Sequence, residues 1–180
     1  WKLAHSRSLH LGPHAVIMGI LNVTPDSFSA GGLHASADTA VSQAMRMLQE
    51  GPAIIDVGGE STRPNAEAVT ALEEQRRVIP VIEALATVPD ILISVDTYRE
   101  ETARLAVKAG AHIVNDVWGL QREPGIAMVA AEFGAGLCIM HTGRSRELLA
   151  DPIEDQRQFL RHSLEIAFRG GIMREAIVLD

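Results

Sequence analysis

Apolar residues fall into six short runs, each ending on or followed by a polar residue, and the first five lead through a loop into a stretch of helical periodicity. The runs are 15–21, 53–57, 91–95, 112–114, 136–140 and 176–180. They are rich in branched residues and do not alternate, as expected of strands covered on both faces in a parallel sheet flanked by helices. Helices are expected over about 37–49, 71–85, 100–109, 125–133 and 152–169. In the first of these Val41, Ala44 and Leu48 form one apolar face, with Ser36 as N-cap and Gly51 as stop. Thr70 is placed to cap the second, with Glu73 at capping-box distance. Pro80 inside that helix predicts a kink or break near Ile79. Ahead of the first run, Leu9-His10-Leu11 alternates like a short edge strand. Residues 1–13 read as a lead-in covering the bottom of the fold.

Strict alternation of strand and helix means a parallel sheet, either doubly wound or closed into a barrel. Polar residues at the C-terminal end of every strand favour the barrel, whose sites gather on that face. An open sheet concentrates its site at one switch point, and no G-x-G-x-x-G or P-loop pattern follows a strand. The expected fold is therefore α/β, a (β/α)8 TIM-type barrel. Such a barrel takes roughly 250 residues. The 180 residues are thus expected to supply about the first six βα units of a single domain, incomplete at its C-terminus.

Composition narrows the function classes. Hydrophobic residues make up 47% and charged residues 22%, as in ordinary globular domains. The net charge is −7 and no basic stripe exists, which argues against nucleic acid and anionic membrane surfaces as partners. No run reaches membrane-spanning length and no signal-peptide pattern opens the chain. The single cysteine, Cys138, permits no internal disulfide and fits a reducing, cytoplasmic setting. Lying in an apolar run, it reads as a buried, inert thiol.

Asn22, Asp56, Asp96, Asn115, Asp116, His141 and Asp180 stand at or near strand ends, and in a barrel they converge on one mouth. Carboxylates accept from ring N–H and amino groups, and an amide both donates and accepts, so the set suits a flat, nitrogen-rich heterocycle. Asp96 and Asp116 also precede helices, where capping explains either one as well as ligand contact does. The stretch Gly58-Gly59-Glu60-Ser61-Thr62-Arg63-Pro64 offers flexible backbone, hydroxyls and a guanidinium to a phosphate. A solvated turn explains it equally well. His141 is a candidate general base, although a lone histidine at a strand end is more often hydrogen-bonded structure. Met140 reads as wall or core.

Two longer motifs point further. Asn22-Val23-Thr24-Pro25-Asp26-Ser27-Phe28-Ser29, followed by Gly31-Gly32, resembles the first signature of the dihydropteroate synthase family. Asp56-Val57-Gly58-Gly59-Glu60-Ser61-Thr62-Arg63-Pro64 resembles its second. Ser94-Val95-Asp96-Thr97, Val114-Asn115-Asp116 and Met140-His141 match later strand ends in order and spacing. The resemblance implies a pterin-binding TIM-type barrel and a transferase of folate biosynthesis. That reaction joins 4-aminobenzoate to 6-hydroxymethyl-7,8-dihydropterin diphosphate, giving 7,8-dihydropteroate and diphosphate.

Carried over by resemblance, Asp96, Asn115 and Asp180 hold the pterin, with Met140 in the pocket wall. Asn22 binds the Mg²⁺ that accompanies the diphosphate. Thr62 and Arg63 contact the diphosphate or the reacting end, and Phe28 and Pro64 help form the aminobenzoate site. Arg63 and Asp96 are the residues to which catalysis is assigned, and the resemblance also implies a homodimer. Asn65 stands where the family commonly has Gly, and Ala30 replaces a common Asp. The family's later Lys- and Ser-bearing loop and its final Arg-x-His have no counterpart within these residues. Two alternatives stand beside this reading: a corrinoid-linked, pterin-binding methyltransferase, and a non-catalytic pterin-binding fragment.

Overall fold

The six apolar runs become six parallel strands that pair in simple sequence order, β1-β2-β3-β4-β5-β6. A computed structural model describes residues 1–24, 32–61 and 68–180, with residues 32–36 described by backbone alone. The strands are β1 (Met18–Asn22), β2 (Ile54–Gly58), β3 (Leu92–Asp96), β4 (Ile113–Asp116), β5 (Gly136–Ile139) and β6 (Ile177–Leu179). The helices between them are α1 (Gly32–Glu50), α2 (Ala71–Ala86), α3 (Glu100–Ala109), α4 (Ile126–Phe133) and α5 (Pro152–Arg169). The order never reverses, so right-handed crossovers place every helix on the same side of the sheet. This is the winding of a barrel, not of a doubly wound sheet.

Period-two alternation divides each strand between two cores. Leu21, Ile55, Val57, Ile93, Val95, Val114, Leu137 and Ile139 face the helices and are fully buried there with Val78, Ile82 and Leu85 of α2. On the other face, Ile54, Leu92 and Ile113 pack with Leu3 and are flanked by Trp1, Leu9, Val16 and Met18. The N-terminal segment therefore covers the bottom of the sheet, as expected. Its backbone is tied there by Ala4 N–H to His112 O (3.2 Å) and Lys2 N–H to Glu175 O (2.8 Å). The Trp1 indole N–H donates to Ala176 O at 2.9 Å.

Several local expectations differ from the structure. Leu9-His10-Leu11 forms no strand, and the only bridge in the lead-in joins Lys2 to Ser8. The alternation is real, but Leu9 is used in the bottom core rather than in a ladder. Helix α1 begins at Gly32, ahead of the expected cap Ser36, since no residue of Leu33-His34-Ala35 breaks a helix. Helix α2 runs through Pro80 without breaking. Buried Val78, Val81, Ile82 and Leu85 hold both halves against the sheet and offset the lost backbone hydrogen bond. Strand β1 is an edge strand, and its inward Ile20 is 65% exposed, so it is not covered on both faces.

Thr70 does cap α2, accepting from Glu73 N–H. Asp151 caps α5, accepting from Ile153 N–H at 2.8 Å and Glu154 N–H at 3.3 Å, with Pro152 opening the helix. Asp151→Ala is expected to cost about 1 kcal/mol. The check is a lower urea midpoint with an unchanged denaturant slope.

Candidate functional site

The parallel register aligns one row of residues across the C-terminal end of the sheet. Asn22 pairs with Gly58, Gly58 with Asp96, Asp96 with Asn115, Asn115 with Cys138, and Cys138 with Val178. Residues paired in this way share a face of the sheet, so Asn22, Asp96 and Asn115 meet on its inner side. One step below lie Ile20, Asp56 and Ser94. Asn115 Nδ2 donates to Asp56 Oδ2 at 2.9 Å. Asp56 Oδ1 and Ser94 Oγ are buried without a hydrogen-bond partner among the described residues.

Gly58 leaves a notch in the row. A Cβ built on it would stand 3.4 Å from Asp96 Oδ2 and 3.6 Å from Asn22 Oδ1, so both oxygens face the space a side chain would fill. A hard cation takes oxygen ligands and keeps several waters, and an exposed amide oxygen beside a carboxylate suits one. Asn22 is exposed at this position. Among the described residues no group of three His, Cys, Asp or Glu is arranged to hold a metal ion.

Acidic groups stand on both sides of the sheet around Asp96, and its proton affinity responds. Burial, joined by the charges of Asp56, Glu74 and Asp116, pushes the Asp96 carboxyl up to about 8, with Arg144 acting in the opposite sense. Burial also raises Asp56, with the nearby Ser94 hydroxyl and Asn115 amide opposing it. The Cys138 thiol is pushed up to about 12 by burial and by Asp180, Asp56, Asp116 and Asp96. It is therefore the inert thiol expected, and it lies in the field of the same carboxylates.

Adjacent strand-end residues point to opposite faces, and this separates Asn115 from Asp116. Asp116 turns outward from the row. It accepts from Trp118 N–H (2.8 Å) and Leu120 N–H (2.7 Å), which holds Leu120 at φ +65°. Asp116 is thus a turn residue, and its expected place in the mouth is corrected. Asp96 makes no such cap; Thr97 Oγ1 accepts from Arg99 N–H instead (3.2 Å). Asp180 follows β6 and extends its pairing, with its N–H on Ile139 O (2.9 Å) and its carbonyl on His141 N–H (2.8 Å). Met140 is half-buried, and its N–H donates to Asp116 O at 3.2 Å.

His141 belongs to the structure of the β5–α5 loop. Its Nε2 lies 3.0 Å from Asp155 Oδ2, and its ring meets Phe159 edge-on at 5.1 Å. Arg146 engages both oxygens of the same carboxylate, and Leu149 N–H donates to it at 2.9 Å. Arg146, then Leu149, holds the Asp155 carboxyl well below the usual range. The expected positions Phe28, Thr62, Arg63 and Pro64 lie outside the described residues.

A second buried cluster lies beside the row, and it corrects the expectation from sequence that Glu73-Glu74 form a solvated helix face. Glu74 of α2 is 1% exposed. It accepts from Thr97 Oγ1 at 3.0 Å and Thr102 Oγ1 at 2.6 Å. Arg99 Nη1 stands 3.1 Å from Glu74 Oε1, an ion pair without hydrogen-bond alignment. Arg99 Nη2 donates to Glu60 Oε2 at 2.6 Å. The one clue in the sequence was an arginine three residues past Asp96, with two glutamates upstream.

Comparison with known proteins gives a consistent result. A family model described as pterin binding enzyme matches residues 18–180. Over 168 residues the chain is 48% identical to the dihydropteroate synthase of Bacillus subtilis, covering 92% of this chain and 58% of that protein. It is 42% identical over 175 residues to that of Clostridium beijerinckii, covering 97% and 65%. The crystal structure of dihydropteroate synthase from Clostridium difficile, in the presence of pteroic acid, superposes with a TM-score of 0.91. Identity there is 46%, over 96% of this chain and 66% of that one. The Xanthomonas albilineans enzyme with 4-aminobenzoic acid gives 0.86 at 40% identity, over 93% and 61%. The chain thus spans about three-fifths of the length of the relatives it matches.

Proposed function

The chain belongs to the pterin binding enzymes, and from that premise we propose that it acts in a dihydropteroate synthase. The proposed substrates are 6-hydroxymethyl-7,8-dihydropterin diphosphate and 4-aminobenzoate. The observation that carries the reading is the inner row. Asp96 and Asn115 stand side by side above a buried carboxylate oxygen and hydroxyl that lack partners. Buried polar atoms without partners suit a ligand rich in N–H groups, and a pterin edge is one. The likeness to enzymes solved with pteroic acid and 4-aminobenzoic acid supports the same choice.

In this reading Asp96, Asn115 and Asp180 hold the pterin and Met140 forms wall. The bond between the pterin methylene and the diphosphate oxygen breaks, and its electron pair leaves with the diphosphate. The nitrogen of 4-aminobenzoate supplies the pair for the new carbon–nitrogen bond and then loses a proton. No enzyme nucleophile is required, in keeping with the inert Cys138. Carboxylates around the pterin favour the positive charge that develops on the methylene. Arg63 and Thr62 are proposed to hold the diphosphate, and Phe28 and Pro64 the aminobenzoate. Asn22, beside the Gly58 notch, is proposed to hold Mg²⁺, which would supply charge neutralisation for the leaving diphosphate. A second copy of the chain as partner, and a cytoplasmic setting, are proposed on the resemblance. Among the described residues no helix is long and apolar enough to cross a membrane.

The test is formation of dihydropteroate and diphosphate by protein of verified mass, with Mg²⁺ and both substrates. Turnover that needs both substrates supports the reading, and folded protein that binds no pterin overturns it. Turnover of methyltetrahydrofolate with a corrinoid would replace it by the methyltransferase.

The raised Asp96 carboxyl adds a prediction. A pterin held by the ionised carboxylate must displace a proton below pH about 8. Affinity should then climb as pH rises toward 8, by up to roughly tenfold per pH unit. Calorimetry in two buffers of different ionisation enthalpy should register close to one proton released at pH 7. A flat affinity profile with no proton release would show that Asp96 does not ionise on binding.

A further inference from the structure

We infer that Arg99 is a positioning residue for this reaction, pinning both ends of the 61–68 stretch to the strand end that carries Asp96. Its Nη2 donates to Glu60 Oε2 and to Val69 O, each at 2.6 Å. Glu60 precedes that stretch and Val69 follows it, so one guanidinium binds the chain on both sides of it.

Neighbouring contacts hold both anchor points. Tyr98 Oη lies 3.1 Å from each Glu60 carboxylate oxygen. Arg77 Nη1 donates to Gly59 O at 2.9 Å. Gly59 is pressed so closely on α2 that a Cβ there would come within 2.9 Å of Val78 Cγ1 and 3.1 Å of the Glu74 carbonyl. On the return side, Val69 leads directly into Thr70, the N-cap of α2. Arg99 in turn is three residues beyond Asp96, and its other terminal nitrogen meets buried Glu74.

The side chains of Arg99 and Glu60 are only 11% and 15% exposed. Such a pair is far less screened than a surface salt bridge. A planar guanidinium satisfies several acceptors in fixed directions, which an ammonium cannot reproduce at once. Between the two pinned ends lie Thr62, Arg63 and Pro64, the residues proposed above to meet diphosphate and aminobenzoate, and the inference rests on that reading. A stretch whose ends drift by about an ångström would misplace them enough to cost roughly 100-fold in rate.

The experiment compares Arg99→Lys, Arg99→Met and Glu60→Gln with the parent protein. Arg99→Met is expected to lower kcat roughly 100-fold and to raise KM for 4-aminobenzoate, with Arg99→Lys recovering part of the loss. Affinity for a pterin without diphosphate should stay within about threefold in Arg99→Lys, which keeps a positive charge beside Glu74 and leaves the inner row untouched. Adding Glu60→Gln to Arg99→Lys should cost little more, since the two share one contact. Amide hydrogen exchange of Glu60 and Val69 should quicken in each variant relative to β3. Unchanged kcat and KM, or kcat and pterin affinity falling together with thermal stability, would overturn the inference. A parent that binds no pterin would instead sink the proposed function, and the exchange measurement would still decide whether Arg99 pins the two ends.

Discussion

Asp96→Asn should melt several degrees above the parent at pH 8.5 and yet hold a pterin roughly a thousandfold less tightly. Both halves follow from the burial of Asp96 among other acids. Asp96 titrates near 3.8 in an unfolded chain but near 8 in the fold, raised first by burial and then by Asp56, Glu74 and Asp116. A folded pKa above the unfolded one means that the fold binds the proton more tightly. The stability this contributes is complete below pH about 4 and is lost as pH rises through about 8. At pH 8.5 the parent therefore carries a destabilising charge that the neutral amide lacks. One pKa unit corresponds to about 1.4 kcal/mol, and partial solvent access at the mouth screens part of the shift. A gain on the order of 2 kcal/mol is a reasonable expectation, or about 5 °C for a chain of this size. At pH 4 the two proteins should melt together.

The functional half has the opposite sign. A carboxylate accepts two N–H donors, whereas an amide brings its own N–H toward one of them and leaves a buried donor unpaired. Stability gained and binding lost at one residue is the pattern of a group kept for function rather than for folding. Thermal melts at the two pH values, with pterin titration at pH 8.5, check both halves. Loss of stability at pH 8.5, or an affinity close to the parent's, would remove Asp96 from the role given to it.

The strand and helix order was legible because parallel strands buried on both faces leave apolar runs that the eye can count. The mouth was legible for a related reason: a buried strand tolerates polar residues chiefly where it emerges. Asn115 and Asp116 show where that reading stops. Both are polar and both end β4, and period two requires them to face opposite ways. The sequence does not say which faces inward; the pairing of Asn115 with Asp96 does. Pro80 misled because its local cost is plain in the sequence, while the four apolar side chains that outweigh it act only after α2 docks. The role of Arg99 was hidden for the same reason at longer range. Its partners Glu60 and Val69 lie 39 and 30 residues away, and no spacing rule links them. The two signature stretches showed which family to expect, but they did not show what holds the ends of the second in place.

Glu74→Ala should be the most damaging single substitution in the described part of the chain, costing roughly 3–5 kcal/mol. Glu74 is 1% exposed, and its carboxylate gathers the hydroxyls of Thr97 and Thr102 and one side of the Arg99 guanidinium. Removing it strands two buried hydroxyls and leaves Arg99 with Glu60 as its one carboxylate partner among the described residues. It also opens a cavity behind Val78. Each stranded polar group costs about 1–3 kcal/mol, and the largely buried cation adds to this. A leucine of similar volume should recover only the cavity part, because the hydroxyls and the guanidinium would still lack an acceptor. Glu74→Gln keeps one acceptor oxygen and should fall between the two. It has a second consequence that packing alone would not produce. The Glu74 charge helps to raise Asp96, so the amide should lower the pH at which pterin binding stops releasing a proton, while Glu74→Asp should not. Chemical denaturation of the three variants, with proton release measured on the glutamine form, separates the two effects. A loss below about 1 kcal/mol for Glu74→Ala would mean that water replaces the carboxylate and that the cluster is not a buried one.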